Sequence, residues 1–390
     1  MRFHQENINR IKLSMLAAAV LCGTVMPQPA FAAEPGALHT AEEMAHLSDN
    51  KLEWSEIDGL ISEYNATVVK NRNEWSNDQR RTSDAREVQD YLIDKADDYD
   101  SLADASSDTN AVVSAQYKST ANSLRLQAES SVSDSEVIDL EYSLVEKQTA
   151  ESARTAFLNY YSSLYTKEFA DANEAYCERA YASAVNKMNV GMATETDVLT
   201  AKETLDSAKA DVLTAESNIT SYRNALIVMC GWKYDSKDVV IGELPAMSAE
   251  SIASVDYAAD LAKARAANLT LKMDEKKLAN AKSGSYTALV VEQNENQYKN
   301  DTESFGINFK SAYDTLVNAG TAYTNAVNDK AVADRSLQTA DKQLELGSIS
   351  SIEYEGTKNS AKSAWLAERK AYIAMLQAKA AYDAAVNGNV

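Results

Sequence analysis

Few side chains in this chain could carry out covalent or metal chemistry. The 390 residues include three cysteines and three histidines, and after residue 32 those left are Cys177, Cys230, His39 and His46. A cysteine–histidine nucleophile or a zinc cluster needs several such groups close together in the fold. The GxSxG, P-loop and GxGxxG patterns of hydrolase, nucleotide and dinucleotide sites do not occur either. The sequence therefore predicts a protein that is not an enzyme and that uses no cofactor or metal ion.

The N-terminus has the features of a secretory signal. Basic residues precede the apolar run LSMLAAAVLCG, and Ala30-Phe31-Ala32 follows as a small-x-small cleavage site. An uncleaved membrane anchor is the alternative, but the run is shorter than the ~20 apolar residues that span a bilayer. We expect a cleaved signal peptide at residues 1–32, a flexible leader at 33–51, and export to the cell envelope.

The charge of the chain argues against nucleic acid as a partner. Removing residues 1–32 leaves 38 − 3 = 35 basic and 58 − 1 = 57 acidic residues, a net charge near −22. Such a charge repels nucleic acid and anionic lipid, and it also keeps a long helical surface soluble. Prolines are rare and good helix formers abundant, a composition typical of long helices.

One short phrase occurs twice in the chain. VGMATETD at 190–197 is matched by LGSISSIE at 346–353. The glycine of each phrase can take the positive φ that ends a helix. A hydroxyl residue and, three positions later, an acidic residue then form a capping box that starts the next helix. These pairs are Thr194 with Asp197 and Ser350 with Glu353. Each phrase therefore predicts the tip of a helical hairpin.

The helices on both sides of these glycines carry a heptad pattern in which large residues alternate with alanine. After Gly191 the seam positions are Val198, Ala201, Leu205, Ala208, Val212, Ala215, Ile219, Tyr222, Leu226 and Met229. The same spacing recurs 347 − 191 = 156 positions later, with polar lapses at Thr357 and Glu368. Small seam residues let antiparallel helices approach closely. The predicted fold is all-α, with long antiparallel coiled-coil hairpins in two tandem repeats.

The same geometry separates the two thiols. In a hairpin that turns near residue 193, Cys177 faces a residue near 209, and Cys230 lies about 30 Å further along the axis at 1.5 Å per residue. A disulfide needs Cα atoms within ~7 Å, so we expect both cysteines to be free.

The repeats are predicted at residues 52–243 and 244–390, with Pro245 in the linker between them. Both halves place an asparagine, Asn65 or Asn268, late in an amphipathic helix. From asparagine to tip glycine is 191 − 65 = 126 residues in the first half and 347 − 268 = 79 in the second. The extra 47 residues predict a helical insertion near 83–131, polar and turning near residue 106.

Two repeats with these tips, seams and asparagines resemble the TolC family of outer-membrane efflux proteins. The resemblance covers roughly residues 52–388 and is best in 181–231. It implies a homotrimer whose hairpins form a hollow α-helical tunnel. The tips then form its narrow entrance, where the periplasmic adaptor (membrane fusion protein) of an inner-membrane pump docks.

The resemblance also implies roles for residues at the tips. The adaptor-contacting positions are Val190, Gly191, Met192, Leu346, Gly347 and Ser348. Asp197 and Glu353 correspond to acidic residues at the entrance. An equally simple interpretation is that these two carboxylates favour the positive end of the helix dipole in a first turn.

The chain departs from the family where the family has β-strands that form a membrane barrel. Lys282-Ser283-Gly284-Ser285 predicts a tight helix–turn–helix there, and the insertion near 83–131 is too charged for lipid-facing strands. We therefore expect a divergent member with strands absent or vestigial.

Three functions remain open on the sequence. The first is an extracytoplasmic conduit of an efflux or secretion system, in the outer membrane if the host has one and otherwise at the cell surface or outside the cell. The second is a secreted coiled-coil scaffold or binding protein without a transport role. The third, a pump adaptor, fits less well because adaptors carry one hairpin flanked by β-rich segments.

Overall fold

A computed structural model describes residues 39–78, 85–106, 111–284 and 286–389. The signal peptide predicted at residues 1–32 lies outside the described residues. The chain divides into two compact units, residues 1–44 and residues 45–390. In the described part of the first unit, Thr40 caps helix α1 (Ala41–Leu47), because the Thr40 hydroxyl accepts from the Glu43 N–H at 3.2 Å.

The second unit is built from helices, and the predicted all-α fold is confirmed. Its two described strands have two residues each and pair in parallel. The elements before the first tip are β1 (Lys51–Leu52), α2 (Ile57–Tyr64), α3 (Ala66–Asp78), α4 (Ala85–Ser106), α5 (Ala111–Ser130) and α6 (Ser135–Asn189). Those after it are α7 (Glu195–Met229), β2 (Val240–Ile241), α8 (Tyr257–Ala267), α9 (Leu269–Ser283), α10 (Ala288–Glu345) and α11 (Ser351–Val386).

Four long helices form two antiparallel hairpins, α6 with α7 and α10 with α11. Helices α6 and α10 have 55 and 58 residues, which is more than ~80 Å each at 1.5 Å per residue. The predicted seam between α6 and α7 is present, with Leu205, Ala208 and Ala215 buried on it. Cys177 packs against this seam, and both Cys177 and Cys230 are free and buried, as expected.

The hairpins stand side by side in one row. Helix α6 packs extensively on α11 as well as on α7, so the order is α7–α6–α11–α10. Among the described residues, α7 and α10 share no extensive contact with each other. The row is therefore an open layer with two edges and differs from a closed four-helix bundle.

Asn65 and Asn268 lie between helices, so their predicted place late in a helix is corrected. Asn65 has extended backbone, and its side-chain oxygen accepts from the N–H groups of Thr67 and Val68 at the start of α3. Asn268 accepts from Leu271 N–H at 2.8 Å in the same way. An asparagine side chain that caps the following helix competes with helix continuation, and this ends the first helix one residue earlier.

The returning helices end on these junctions. Gly231 and Gly388 both have φ of +94°, and each closes its helix with the glycine-based cap already predicted for the tips. A Cβ at Gly231 would overlap the Tyr64 side chain, and one at Gly388 would overlap the Ala267 carbonyl oxygen. The Asn65 amide also donates to Met229 O at 2.8 Å. The base of each hairpin is thus fixed to its own helix junction.

The linker between the halves crosses one face of the helix row. We call residues 232–256 the belt. Its carbonyl groups at Ser236 and Val239 accept from Arg223 of α7, and that at Gly242 accepts from Tyr161 of α6. The belt then reaches the second hairpin. There Tyr372 of α11 donates to Pro245 O and accepts from Met247 N–H, and Ile252 packs on Gly320 of α10.

At the end of the molecule opposite the tips, hydrogen bonds join the two halves of the chain. The Asn280 amide donates to Val132 O at 2.8 Å and to the Asp134 carboxylate at 3.0 Å, and Tyr286 donates to Ser131 O at 2.6 Å. Helices α9 and α10 meet here in the predicted helix–turn–helix. No helix in the described residues is long and apolar enough to cross a membrane.

Helices α4 and α5 form a separate hairpin from part of the segment in which an insertion is predicted. They pack on each other, and neither shares an extensive contact with another described element. The fully buried residues of their seam are mostly alanines, including Ala96, Ala103 and Ala121. Arg125 of α5 bridges Asp97 and Asp100 of α4 at 2.6 and 2.7 Å.

Candidate functional site

Both hairpin tips are built by the same backbone device. At the end of α6, Gly191 N–H donates to Met188 O at 2.9 Å and Met192 N–H to Lys187 O at 2.7 Å. The matching bonds at the end of α10 run from Gly347 N–H to Leu344 O and from Ser348 N–H to Gln343 O. These paired bonds require a left-handed residue, and Gly191 and Gly347 have φ of +75° and +68°.

The next helix starts from a capping box at each tip. Thr194 N–H donates to the Asp197 carboxylate at 2.7 Å, and Asp197 N–H donates back to the Thr194 hydroxyl at 3.2 Å. Ser350 and Glu353 repeat the arrangement at 2.7 and 3.3 Å. Asp197 and Glu353 therefore complete the predicted capping boxes, and their place at a tunnel entrance stays a prediction.

The carboxylates of the tips are charged at neutral pH. The backbone N–H of Thr194 lowers the pKa of Asp197, and that of Ser350 lowers the pKa of Glu353. Lys187 of the first tip also contributes to the lowered pKa of Glu353 in the second. Arg179 near the end of α6 pairs with Glu355 at the start of α11, so the two tips lie side by side.

Apolar side chains project from the tips into solvent. Val190, Met192 and Leu346 are 69%, 76% and 83% exposed, although large apolar residues usually pack against others. Gly191 and Gly347 have open space where a side chain would begin. The structure thus brings the six predicted adaptor-contacting positions to one end of the molecule. Their role in adaptor contact stays a prediction.

Large apolar residues are also exposed on α7 and α10, the outer helices that form the two edges of the row, and the sequence motifs do not predict them. On α7 the exposed large apolar residues are Leu199, Leu213, Tyr222 and Val228. On α10 they are Leu289, Ile307, Val317, Val327 and Val332. Along the described residues of α6 and α11, the two inner helices, there are none. Most of these residues lie outside the predicted seams. A large apolar residue at a helix position outside the seam is the sequence signal that could have identified them.

One buried carboxyl pair lies away from the tips. Asp274 of α9 is 8% exposed and sits beside Asp301 of α10. Burial, and then Asp301, raise the pKa of Asp274 to about 7, opposed by Lys277 of the same helix. Gln297 donates to Asp301 at 2.7 Å, and Glu141 of α6 accepts from Lys277 at 3.2 Å. Two carboxyl groups this close share a proton more readily than they both ionise.

The described residues offer little to a metal ion or a small molecule. They contain no group of three or more histidine, cysteine or acidic side chains placed to hold a metal. A groove of about 460 Å³ lies between α6 and the end of α11, and the two basic side chains that line it, Lys147 and Arg154, are already hydrogen-bonded. Arg154 pairs there with both Asp58 and Glu151.

Comparison with known proteins identifies the architecture. No family profile and no curated protein sequence matches the chain. Solved structures do: the CmeC outer membrane channel of Campylobacter jejuni is similar, with a TM-score of 0.56, 11% identity and 94% of each chain covered. The outer-membrane channel OprN has a TM-score of 0.53 at 12% identity, with 86% of this chain and 90% of that chain covered. A membrane protein from Pseudomonas aeruginosa gives 0.52 at 10% identity with the same coverage. The chain therefore has the helical-hairpin fold of these outer-membrane channels.

Proposed function

We propose that this protein is one subunit of a TolC-like trimeric conduit in an efflux or secretion system, as a divergent member of that family. The observation that carries the proposal is the open row of four helices with apolar residues exposed along its two edges. An apolar edge of this kind favours a partner that covers it.

The two edges differ from each other, and this sets the kind of assembly. An α7 edge that contacts the α10 edge of the next copy is a heterologous contact, which closes into a ring when the rotation allows. The resemblance to the TolC family supports three copies. Three rows of four helices would then form a cylinder of twelve.

The tips are the proposed docking point for an adaptor protein and its inner-membrane pump. Val190, Met192 and Leu346 offer exposed apolar area, and the adjacent carboxylates of Asp197 and Glu353 offer fixed negative charge. Apolar anchors ringed by charge are typical of protein interfaces. The solved channels of the same fold are outer-membrane proteins, which supports export and an outer-membrane or cell-surface location.

The oligomeric state tests this proposal directly. The protein is purified with its signal peptide removed, and its mass is measured by light scattering while its shape is viewed by negative-stain microscopy. We expect three chains in a cylinder that shows a stain-filled bore in end views. A monomer, or a solid rod of two chains, would refute the conduit and favour the secreted scaffold.

A further inference from the structure

The two faces of the helix row have different chemistry, and the belt distinguishes them. Arg223 of α7 donates to belt carbonyl groups, so its side of α7 is the belt side. Positions seven residues apart on a coiled-coil helix share one side. The belt side of α7 therefore carries four charged residues, Lys202, Lys209, Glu216 and Arg223.

The opposite side of the same helix carries a stripe of uncharged residues. Stepping back two residues along a helix rotates the side chain by about 200°. That step leads to Thr200, Ser207, Thr214 and Ser221, all of which are exposed. We call this face of the row the far side. On α10, Ile252 of the belt packs on Gly320, so the same step leads to Ser311, Asn318, Asn325 and Val332. On α11 the far side carries Ser360 and Ser363.

The contact between the two hairpins shows the same division. On the belt side, Lys362 of α11 pairs with Glu168 of α6 at 2.5 Å. On the far side, the amide of Asn359 meets that of Asn173 at 2.9 Å, and Gln377 meets Asn159 at 3.3 Å. Ion pairs thus lie on one face of the row and neutral amides on the other.

Three of the hydroxyl groups of the far side donate to carbonyl groups of their own helices. Thr200 donates to Thr196 O and Thr214 to Ala210 O, each at 2.9 Å. Ser360 donates to Gly356 O at 2.9 Å. The hydroxyl hydrogens of these side chains are already used, so they are not available to bind a passing solute.

Seven charged residues interrupt the far side along the four helices. They are Lys187, Asp197, Asp211, Asp301, Asp329, Glu353 and Lys370. Two are basic and five acidic, so the far side has a net charge of 2 − 5 = −3, although the whole chain carries −20. The acidic character of the protein is therefore located elsewhere.

The size of a ring of twelve helices decides which face points inward. Helices packed 8–10 Å apart give a ring about 35 Å across between opposite axes, which leaves a bore of about 25 Å. Three belts of extended chain would occupy most of that space, so an open ring needs the belts on its outside. We propose that the far side lines the bore, and that this wall, made mostly of hydroxyl and amide side chains, lets cationic and anionic solutes pass without preference. The inference rests on the conduit proposed above.

A pair of cysteine variants tests both parts of the inference on the assembled protein. Ser336→Cys places a thiol on the far side of α10, and Gln338→Cys places one on the belt side two residues away, with both positions exposed. The unmodified protein, in which Cys177 and Cys230 are buried, gives the background. A maleimide with a long polyethylene glycol chain should modify Gln338→Cys much faster than Ser336→Cys. Equal rates in particles with a visible bore would overturn the assignment of the far side to the bore.

The charge of the wall is measured on the same variant. Small cationic and anionic methanethiosulfonates of equal size are compared by their rate constants at Ser336→Cys, each divided by its rate with free cysteine. We expect the two ratios to agree within about threefold, whereas a wall of one charge concentrates its counterion by tenfold or more. A tenfold preference for either reagent would refute the neutral wall. Ser207→Cys on α7 repeats the measurement at a second height, and particles without a bore would refute the conduit and this inference together.

Discussion

At the scale of single residues, four glycines end the four long helices with the same left-handed cap, but their surroundings differ. Gly191 and Gly347 lie in open space at the tips, whereas Gly231 and Gly388 lie against the helix junctions. The glycines of the tips are needed for backbone conformation alone. Those of the base are needed for conformation and for close packing.

Alanine substitution should separate these two requirements. Gly191→Ala should lower the free energy of unfolding by about 1–2 kcal/mol, the strain of a left-handed L-residue. Gly231→Ala should lower it by more, since its Cβ would also overlap Tyr64 and lie 2.9 Å from that residue's carbonyl oxygen. Chemical denaturation of both variants measures the difference. Equal losses would contradict the close packing at the base.

The buried carboxyl pair should make stability depend on pH. The folded-state pKa of Asp274, about 7, is above its ordinary value of 3.8, so the folded protein holds the extra proton between these values. Stability from Asp274 is therefore present near pH 4 and is lost as the pH rises through 7.

Asp274→Asn tests this dependence because asparagine cannot ionise. At about pH 8 the melting temperature of the variant should exceed that of the unmodified protein. At about pH 5 the two melting temperatures should differ little or not at all. Lys277→Gln is the control: it removes the one neighbouring charge that lowers the pKa of Asp274, so it should not produce the same gain. Parallel melting curves across this pH range would refute the shared proton.

At the scale of elements, the seams and the belt differ in how clearly the sequence encodes them. The seam from Val198 to Met229 was predictable because its apolar period matches the period of the helix. The α6–α11 contact could not be predicted, because it is made by ion pairs, amides and the ring pair Tyr165–Trp365. These residues do not form a periodic apolar pattern in the sequence. The belt contacts join residues more than 80 positions apart, from Tyr161 to Gly242 and from Pro245 to Tyr372, and no local pattern records them.

The site could be predicted only in part for the same reason. The capping residues of the first tip, Gly191, Thr194 and Asp197, lie within seven positions of one another. They therefore form a local sequence motif that predicts the tip. The sequence predicts both junction asparagines inside helices, because a capping asparagine has no local signal that separates it from an asparagine within a helix. The free edges of the row depend on which helices become neighbours, and that is a property of the folded chain.

The belt should depend on one tyrosine hydroxyl. Tyr372→Phe removes the bonds to Pro245 O and Met247 N–H, and should lower the free energy of unfolding by about 1–3 kcal/mol. Tyr313→Phe is a matched control, because its hydroxyl makes no hydrogen bond in the part of the chain that the structure describes. Equal effects of the two variants would argue against the belt anchor.

At the scale of the whole molecule, the open row makes assembly the expected state. A single copy leaves apolar side chains of both edges in water, and burying one such side chain contributes about 1.5–3 kcal/mol. The inner helices α6 and α11 already cover each other. Assembly should therefore be sensitive to the edges and insensitive to the outward faces of the inner helices.

Charged substitutions test this difference. Leu213→Glu on the α7 edge and Ile307→Glu on the α10 edge should each shift the light-scattering mass toward a single chain while circular dichroism stays unchanged. Ala175→Glu adds the same charge at an exposed position of α6 and should leave the oligomer intact. Oligomers that tolerate both edge variants would show that the copies meet elsewhere.

The α4–α5 hairpin has a consequence for how the chain opens. Its seam buries little besides alanine, and neither helix packs extensively against the long hairpins. A unit with so few buried apolar contacts unfolds locally at a free energy far below that of the whole domain. Amide hydrogens of α4 and α5 should therefore exchange with deuterium well before those in the seams of α6 and α10. The chain would then combine a slowly exchanging row of long helices with a hairpin that opens independently.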